Sequence, residues 1–308
     1  MKNLQGDFFQ QASLLGGQRT NMEFSFQSLL LASIPPFLWA FMTFFITKAS
    51  RSMDATKGLF MFQLIGIPLF LCMLPFLSPE KNTNLLLIIG LGVWETFAYL
   101  LYFYALRIGQ MAIIGTIIET NVIITVPLSA IFLHESFYLL KFIAISAVII
   151  GVIMLGLHLK DLKKSKMVKL SAGVVPTLLA AIATGVYFFF VGISSRINGW
   201  YSTALGIRIM IVLTICILFV IQRKDVLSLF KKVDWKWIVP AAVFDVVAFS
   251  VFSYALTRYE ISYVSVINAA APVISTALAI IFLKEKLTIF QVTGFLLVIV
   301  GIIALNIV

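Results

Sequence analysis

The chain is a succession of long apolar runs separated by short polar or charged breaks, without the alternating pattern of half-buried strands. A membrane-spanning helix needs roughly 20 mostly apolar residues. Ten segments meet that measure, at approximately 25–47, 57–77, 84–106, 110–133, 138–158, 170–193, 201–221, 236–257, 260–283 and 287–307. The breaks carry turn or charge signals, among them SRSMD (50–54), SPEKNTN (78–84), KDLKKSK (160–166), QRKD (222–225) and KKVDWKW (231–237). Trp235 and Trp237 stand where an interfacial aromatic belt is expected. Runs this long argue against a transmembrane barrel. The pattern predicts an all-α integral membrane protein with ten transmembrane helices.

A second regularity lies across the first. GVWETFAYLLYFYAL (92–106) and AVFDVVAFSVFSYAL (242–256) align at an offset of 150 positions, which sets Asp245 on Glu95 and Tyr254-Ala255-Leu256 on Tyr104-Ala105-Leu106. The offset holds without a gap from 93 through 155. Between 104–155 and 254–305, 15 of 52 positions are identical, including IFLHE (131–135) over IFLKE (281–285) and Gly151 over Gly301. Isolated Ile or Leu matches carry little weight in so apolar a chain. The Tyr-Ala-Leu, the Phe-Leu-x-Glu corner and the aligned glycine carry more, and they indicate a duplication. The expected organisation is a polar N-terminal extension (1–24), a first five-helix repeat (25–158), a Lys-rich linker (159–169) and a second five-helix repeat (170–308). An odd number of helices per repeat inserts the second copy upside down relative to the first. Inverted repeats are the architecture of many secondary transporters, with a substrate site near the midplane.

Composition agrees. The 308 residues are 61% hydrophobic and 12% charged, with a mean hydropathy of +1.06, whereas soluble domains run about 25% charged. The net charge of +10 sits on Lys and Arg in short loops, where it anchors to headgroups rather than to nucleic acid. Cys72 and Cys216 both fall in apolar segments and imply no disulfide framework. Residues 1–24 are mixed and polar and give no cleavable signal peptide. The expected partners are membrane lipids and a small-molecule substrate, with self-association into a homo-oligomer left open.

The stretch YALRIGQMAIIGTIIETNVIITVPLSAIFLHESF, followed by AVIIGVIMLG and echoed in the second half, resembles the drug/metabolite transporter superfamily. More narrowly, residues 25–307 resemble the ten-helix EamA-type carriers. The resemblance implies a secondary carrier, often an exporter of amino acids, other metabolites or toxic organic compounds, in a prokaryotic plasma membrane. Residues 98–156 are also similar to the last helices of small multidrug-resistance proteins. Their essential carboxylate maps onto 57–77, which holds Gln63 but no Asp or Glu. The resemblance implies that both termini are inside. Charge bias implies the reverse, because Lys48, Arg51, Lys57, Lys160 to Lys169, Arg223 to Lys236, Lys284 and Lys286 share one side by helix parity. Orientation stays open.

Three acids fall well inside predicted spans: Glu95, Glu119 and Asp245. A charge at the bilayer centre costs about 2.5–3.5 kcal/mol on insertion scales, so such residues face a cavity or a partner. One reading is a proton or cation site, with Glu95 and Asp245 facing each other across the repeat axis. The other is a structural pair, Asp245 with Arg208. Glu119, Thr120 and Asn121 with downstream Pro127, and Asn268 with Pro272, give each repeat a polar, bendable helix suited to lining a central cavity. Trp39 and Trp94 are candidate cavity aromatics, since an indole face attracts positive charge. His134-Glu135 reads as a capped helix corner rather than a metal site. Nothing resembles a catalytic or phosphate-loop motif, so neither an enzyme, a cofactor nor a metal is expected. The function expected is a secondary transporter working by alternating access. A passive facilitator on the same scaffold is the alternative, with an intramembrane enzyme or receptor further behind.

Overall fold

Without water to satisfy the backbone, each apolar run must close its hydrogen bonds internally, and helices do so. The computed structural model describes residues 26–73, 84–109, 111–135, 138–156, 173–274 and 289–307, and every regular element among them is helical. The N-terminal extension, the Lys-rich linker and the second Phe-Leu-x-Glu corner lie outside the described residues. In chain order the helices are α1 (Phe26–Ser52), α2 (Ala55–Leu71), α3 (Leu85–Ile108), α4 (Met111–Ile118), α5 (Val122–Leu133) and α6 (Leu139–Gly156). They continue as α7 (Val174–Asn198), α8 (Trp200–Ile221), α9 (Trp235–Arg258), α10 (Ile261–Asn268) and α11 (Ile289–Ile307). Six stretches are long and apolar enough to cross a membrane: α1, α3, the continuous run through α4 and α5, α7, α8 and α9. The shorter α2, the bulk of α6 and α11, and the stretch Ile261–Ile274 are apolar as well. The protein is a multi-pass integral membrane protein. Large apolar side chains such as Leu86, Leu139 and Ile289 are exposed on the outside, while Gln63, Glu95, Arg208 and Asp245 are buried within an otherwise apolar core.

Local chemistry sets the helix ends. Asp54 accepts from the backbone N–H of Thr56 at 3.1 Å and starts α2, and Asn84 accepts from Leu87 N at 3.2 Å and starts α3. Gly199, at φ 78°, makes the tight turn between α7 and α8 that a side chain would strain.

Contacts between these ends fix how the helices alternate. At one end, Asp54 pairs with Arg107 at 3.2 Å, Lys57 donates to the Lys231 carbonyl, and Asp234 N meets Met53 Sδ at 3.3 Å. At the other, Asn84 N donates to Asn198 Oδ1 at 2.6 Å, and Tyr201 Oη donates to the Phe70 carbonyl at 2.9 Å. Helix α1 therefore finishes at the Asp54 end, whereas α7 finishes at the Asn84 end.

The 150-residue offset reappears in the element boundaries. Helix α3 runs from Leu85 to Ile108 and α9 from Trp235 to Arg258, and α4 and α10 end at Ile118 and Asn268. It reappears in packing as well, since α1 lies along α9 while α3 lies along α7. The closest case is α6 against α11. A methyl group on Gly151 would stand 2.6 Å from the Gly294 carbonyl oxygen and 2.7 Å from Val298 Cγ2. One on Gly301 would stand 2.8 Å from the Ala144 oxygen and 2.7 Å from Val148 Cγ2. Ala144, Val148 and Gly151 are the offset partners of Gly294, Val298 and Gly301, so each helix meets its counterpart through the same residues. Small residues let the two backbones approach closely, which is how helices associate where lipid supplies no hydrophobic drive.

Candidate functional site

The site begins where two helices lose their regularity. Between α4 and α5 the chain tightens into a 3-10 turn over Glu119–Asn121. At the offset positions α10 ends, the chain turns at Ala269 and Ala270, and helix resumes through residue 274. Pro272 lies in the first turn of the resumed helix, where its missing N–H costs nothing. Pro127 lies inside α5. Asn121 Nδ2 donates to the Ile118 carbonyl at 2.8 Å, which turns its side chain back over the break. Helix α7 presses on the same turn. A methyl group at Gly185 would meet Asn121 O at 2.5 Å and Ile124 Cβ at 2.7 Å, and Thr125 Oγ1 donates to the Gly185 carbonyl at 2.9 Å.

Beside this turn lies a cavity of about 60 Å³, lined by Trp39, Met42, Thr43, Glu95, Ala98, Tyr99, Tyr102, Ile118, Glu119, Asn121, Thr184, Phe188 and Asn268. The lining comes from α1, α3, α4, the 3-10 turn, α7 and α10, and so from both halves. Five of the eight residues singled out in the sequence meet here: Trp39, Glu95, Glu119, Asn121 and Asn268. Glu95 is 2% exposed and its Oε2 has no hydrogen-bond partner among the described residues. The same holds for Glu119 Oε2 and Asn268 Oδ1.

Arg208 and Asp245 occupy a smaller adjoining cavity of about 10 Å³, with Gln63, Tyr99, Tyr187 and Phe249 in its wall. Tyr99 is the wall common to both. Of the two readings of Asp245, the structure has the ion pair: Arg208 Nη2 is bonded to Asp245 Oδ2. Trp39 Nε1 donates to the other carboxylate oxygen at 2.8 Å, and Arg208 Nη1 donates to Gln63 Oε1 at 2.7 Å. The guanidinium lies 5.2 Å from the Phe70 ring centre and 5.9 Å from that of Phe249. Gly66 leaves room for it, since a Cβ there would stand 2.7 Å from Nη1. Asp245 therefore has its charge balanced by a partner on α8 instead of lining the larger cavity, although it remains within electrostatic reach of Glu95. Trp94 lines neither cavity. It is half-exposed on the outer face of α3, and its Nε1 donates to the Ala183 carbonyl at 2.9 Å. Position 94 is one step from Glu95, and one step rotates a helical side chain away from its neighbour's face.

Other contributors were not singled out in the sequence. Tyr99 and Tyr102 follow Glu95 at four and seven positions, which puts all three on one helical face; that spacing was an available signal. Trp39 stacks with Phe188 at 5.9 Å. Glu135, read as a helix corner, caps a different helix: its two carboxylate oxygens accept from Ile261 N at 2.7 Å and Ser262 N at 3.0 Å, at the start of α10. Arg196 approaches the same carboxylate at 3.9 Å while donating to the carbonyls of Leu256 and Tyr259. No group of three or more His, Cys, Asp or Glu suited to a metal occurs among the described residues.

Comparison with known proteins places this geometry. The sequence matches the model of the EamA-like transporter family twice, over residues 27–157 and 171–307. An uncharacterized protein of Methanocaldococcus jannaschii is 30% identical over 138 residues, which is 98% of that protein and 45% of this chain. A crystal structure of a chain 18% identical in sequence superimposes with a TM-score of 0.67, covering 91% of this chain and 97% of the other. That likeness speaks for the fold alone.

Proposed function

The chain belongs to the EamA-like transporter family, and from that premise we propose that it exports small organic metabolites across a prokaryotic plasma membrane by alternating access of two inverted five-helix halves. It is a membrane transporter by family. The finer reading takes α2, α6, α10 and its continuation, and α11 as spanning too, which gives ten spans. Matching boundaries of α3 and α9, the exchange of α1·α9 with α3·α7 and the reciprocal glycine contact support a repeat, and the opposed directions of α1 and α7 support its inversion. A relative about one repeat long supports the duplication.

The observation that carries the functional reading is the larger cavity. It is lined from both halves, flanked by a broken helix from each, and furnished with buried polar groups of the kind that mark substrate pathways in membranes. In this mechanism the two halves rock about the polar breaks, so that the cavity opens to one side at a time. Reconstitution into liposomes tests it. Counterflow of a labelled mixture of amino acids and organic amines saturates with concentration and follows an imposed gradient; flux strictly linear in concentration overturns alternating access. Asn121→Leu lowers that flux several-fold while protein level stays unchanged.

A further inference from the structure

The acceptors in the larger cavity are in surplus. Glu95 Oε2, Glu119 Oε2 and Asn268 Oδ1 are buried without partners among the described residues, and all three side chains line it. Glu95 and Asn268 are each 2% exposed. No Lys, Arg or His appears among the described residues of its lining. The nearby Arg208 belongs to the smaller cavity, where Asp245 balances its charge. The Trp39 indole N–H is committed to Asp245, and the Asn121 amide to Ile118. The cavity thus holds two carboxylates and a carboxamide oxygen that face inward without a cation among the described residues. Around them stand the rings of Trp39, Tyr99, Tyr102 and Phe188.

We propose that this cavity binds the protonated amine of an organic substrate with an apolar or aromatic body, and that it selects against a free carboxylate on the same molecule. A primary ammonium carries three N–H donors and no acceptor, which answers three acceptors lacking donors. The ring faces receive the positive end and the attached body. A carboxylate brought into the same space meets two others with no cation to pair with, and discrimination of this kind comes from the repulsive element. The assignment rests on the transport reading only in calling the occupant a substrate.

Thermal unfolding of the purified full chain, with three probes sharing one phenyl body, tests it. Phenethylamine raises the midpoint, phenylacetate leaves it unchanged, and phenylalanine requires about tenfold or more higher concentration for the same shift. Glu95→Gln and Glu119→Gln each remove the phenethylamine response, while Trp94→Phe, on the outer face, retains it. An equal or larger shift with phenylacetate or phenylalanine overturns the proposal. No shift with phenethylamine overturns it too, and is what a cavity holding only water gives. If a Gln variant fails to fold, the comparison of the three probes on the unaltered chain still decides. Liposome flux separates this proposal from the one before it. Phenethylamine binding without saturable flux sinks the transport reading and leaves the site. Saturable phenylalanine flux without phenethylamine binding sinks the site and leaves transport.

Discussion

Asp245 and Glu95 occupy equivalent positions, yet they live in opposite circumstances. Asp245 is held by Arg208 and Trp39, whereas Glu95 Oε2 has no partner among the described residues. Neutralising them has opposite consequences. Arg208→Leu strands a buried carboxylate and lowers stability by about 3–5 kcal/mol, read as a lower unfolding midpoint in detergent. Removing both charges, as Arg208→Leu with Asp245→Leu, returns much of that loss, because no uncompensated charge remains. Glu95→Gln breaks no ion pair, so it lowers the midpoint far less than Arg208→Leu does, and it flattens the dependence of flux on pH. An unaltered pH profile in that variant overturns a coupling role for Glu95. The sequence reveals both acids as buried, because a charge in an apolar run has few places to go. It does not reveal which one is paired. The partners of Asp245 lie 37 and 206 positions away, and only packing brings α1, α8 and α9 together.

Among elements, the break at Glu119–Asn121 is seated by α7. Gly185 touches the Asn121 carbonyl with nothing to spare, so Gly185→Ala pushes the turn from its place. It costs about 1–3 kcal/mol as an overpacked contact and weakens transport more than it lowers protein level. Gly90→Ala on α3 is the matched control, since a methyl group there meets nothing within 4 Å. A second test concerns the start of α10. Glu135→Ala leaves the N–H groups of Ile261 and Ser262 uncapped and costs about 1 kcal/mol, measured by denaturation of the purified protein. The breaks themselves were legible, because Pro127 and Pro272 follow polar residues in apolar helices. The cap was legible only as a helix corner. The Glu135 carboxylate finds its donors 126 and 127 residues further on, and no local pattern announces that.

For the whole molecule, inversion makes a claim about sides. Asn84 and Asp234 are separated by the repeat offset, and each immediately precedes a helix. Their contacts put them at opposite ends of the bundle. Single cysteines at these positions, in a chain with Cys72 and Cys216 replaced, react with a membrane-impermeant thiol reagent from opposite faces of the membrane. Labelling of both from one face defeats the inverted arrangement. The helical, membrane-spanning character was legible at this scale because lipid imposes helix length on the sequence. The cavity's walls were only half legible: polar residues stand out against an apolar background, but aromatic residues such as Tyr99 and Phe188 look the same whether they face lipid, core or cavity. The glycine seam between α6 and α11 has a consequence in time. Helix α6 leaves the ribosome nearly half a chain before its partner, since synthesis is vectorial. Throughout that interval its Gly151 face has only acyl chains or a transient neighbour to lie against. The seam closes only once α11 is made, so a chain that stops short of it is left with an open flank along α6.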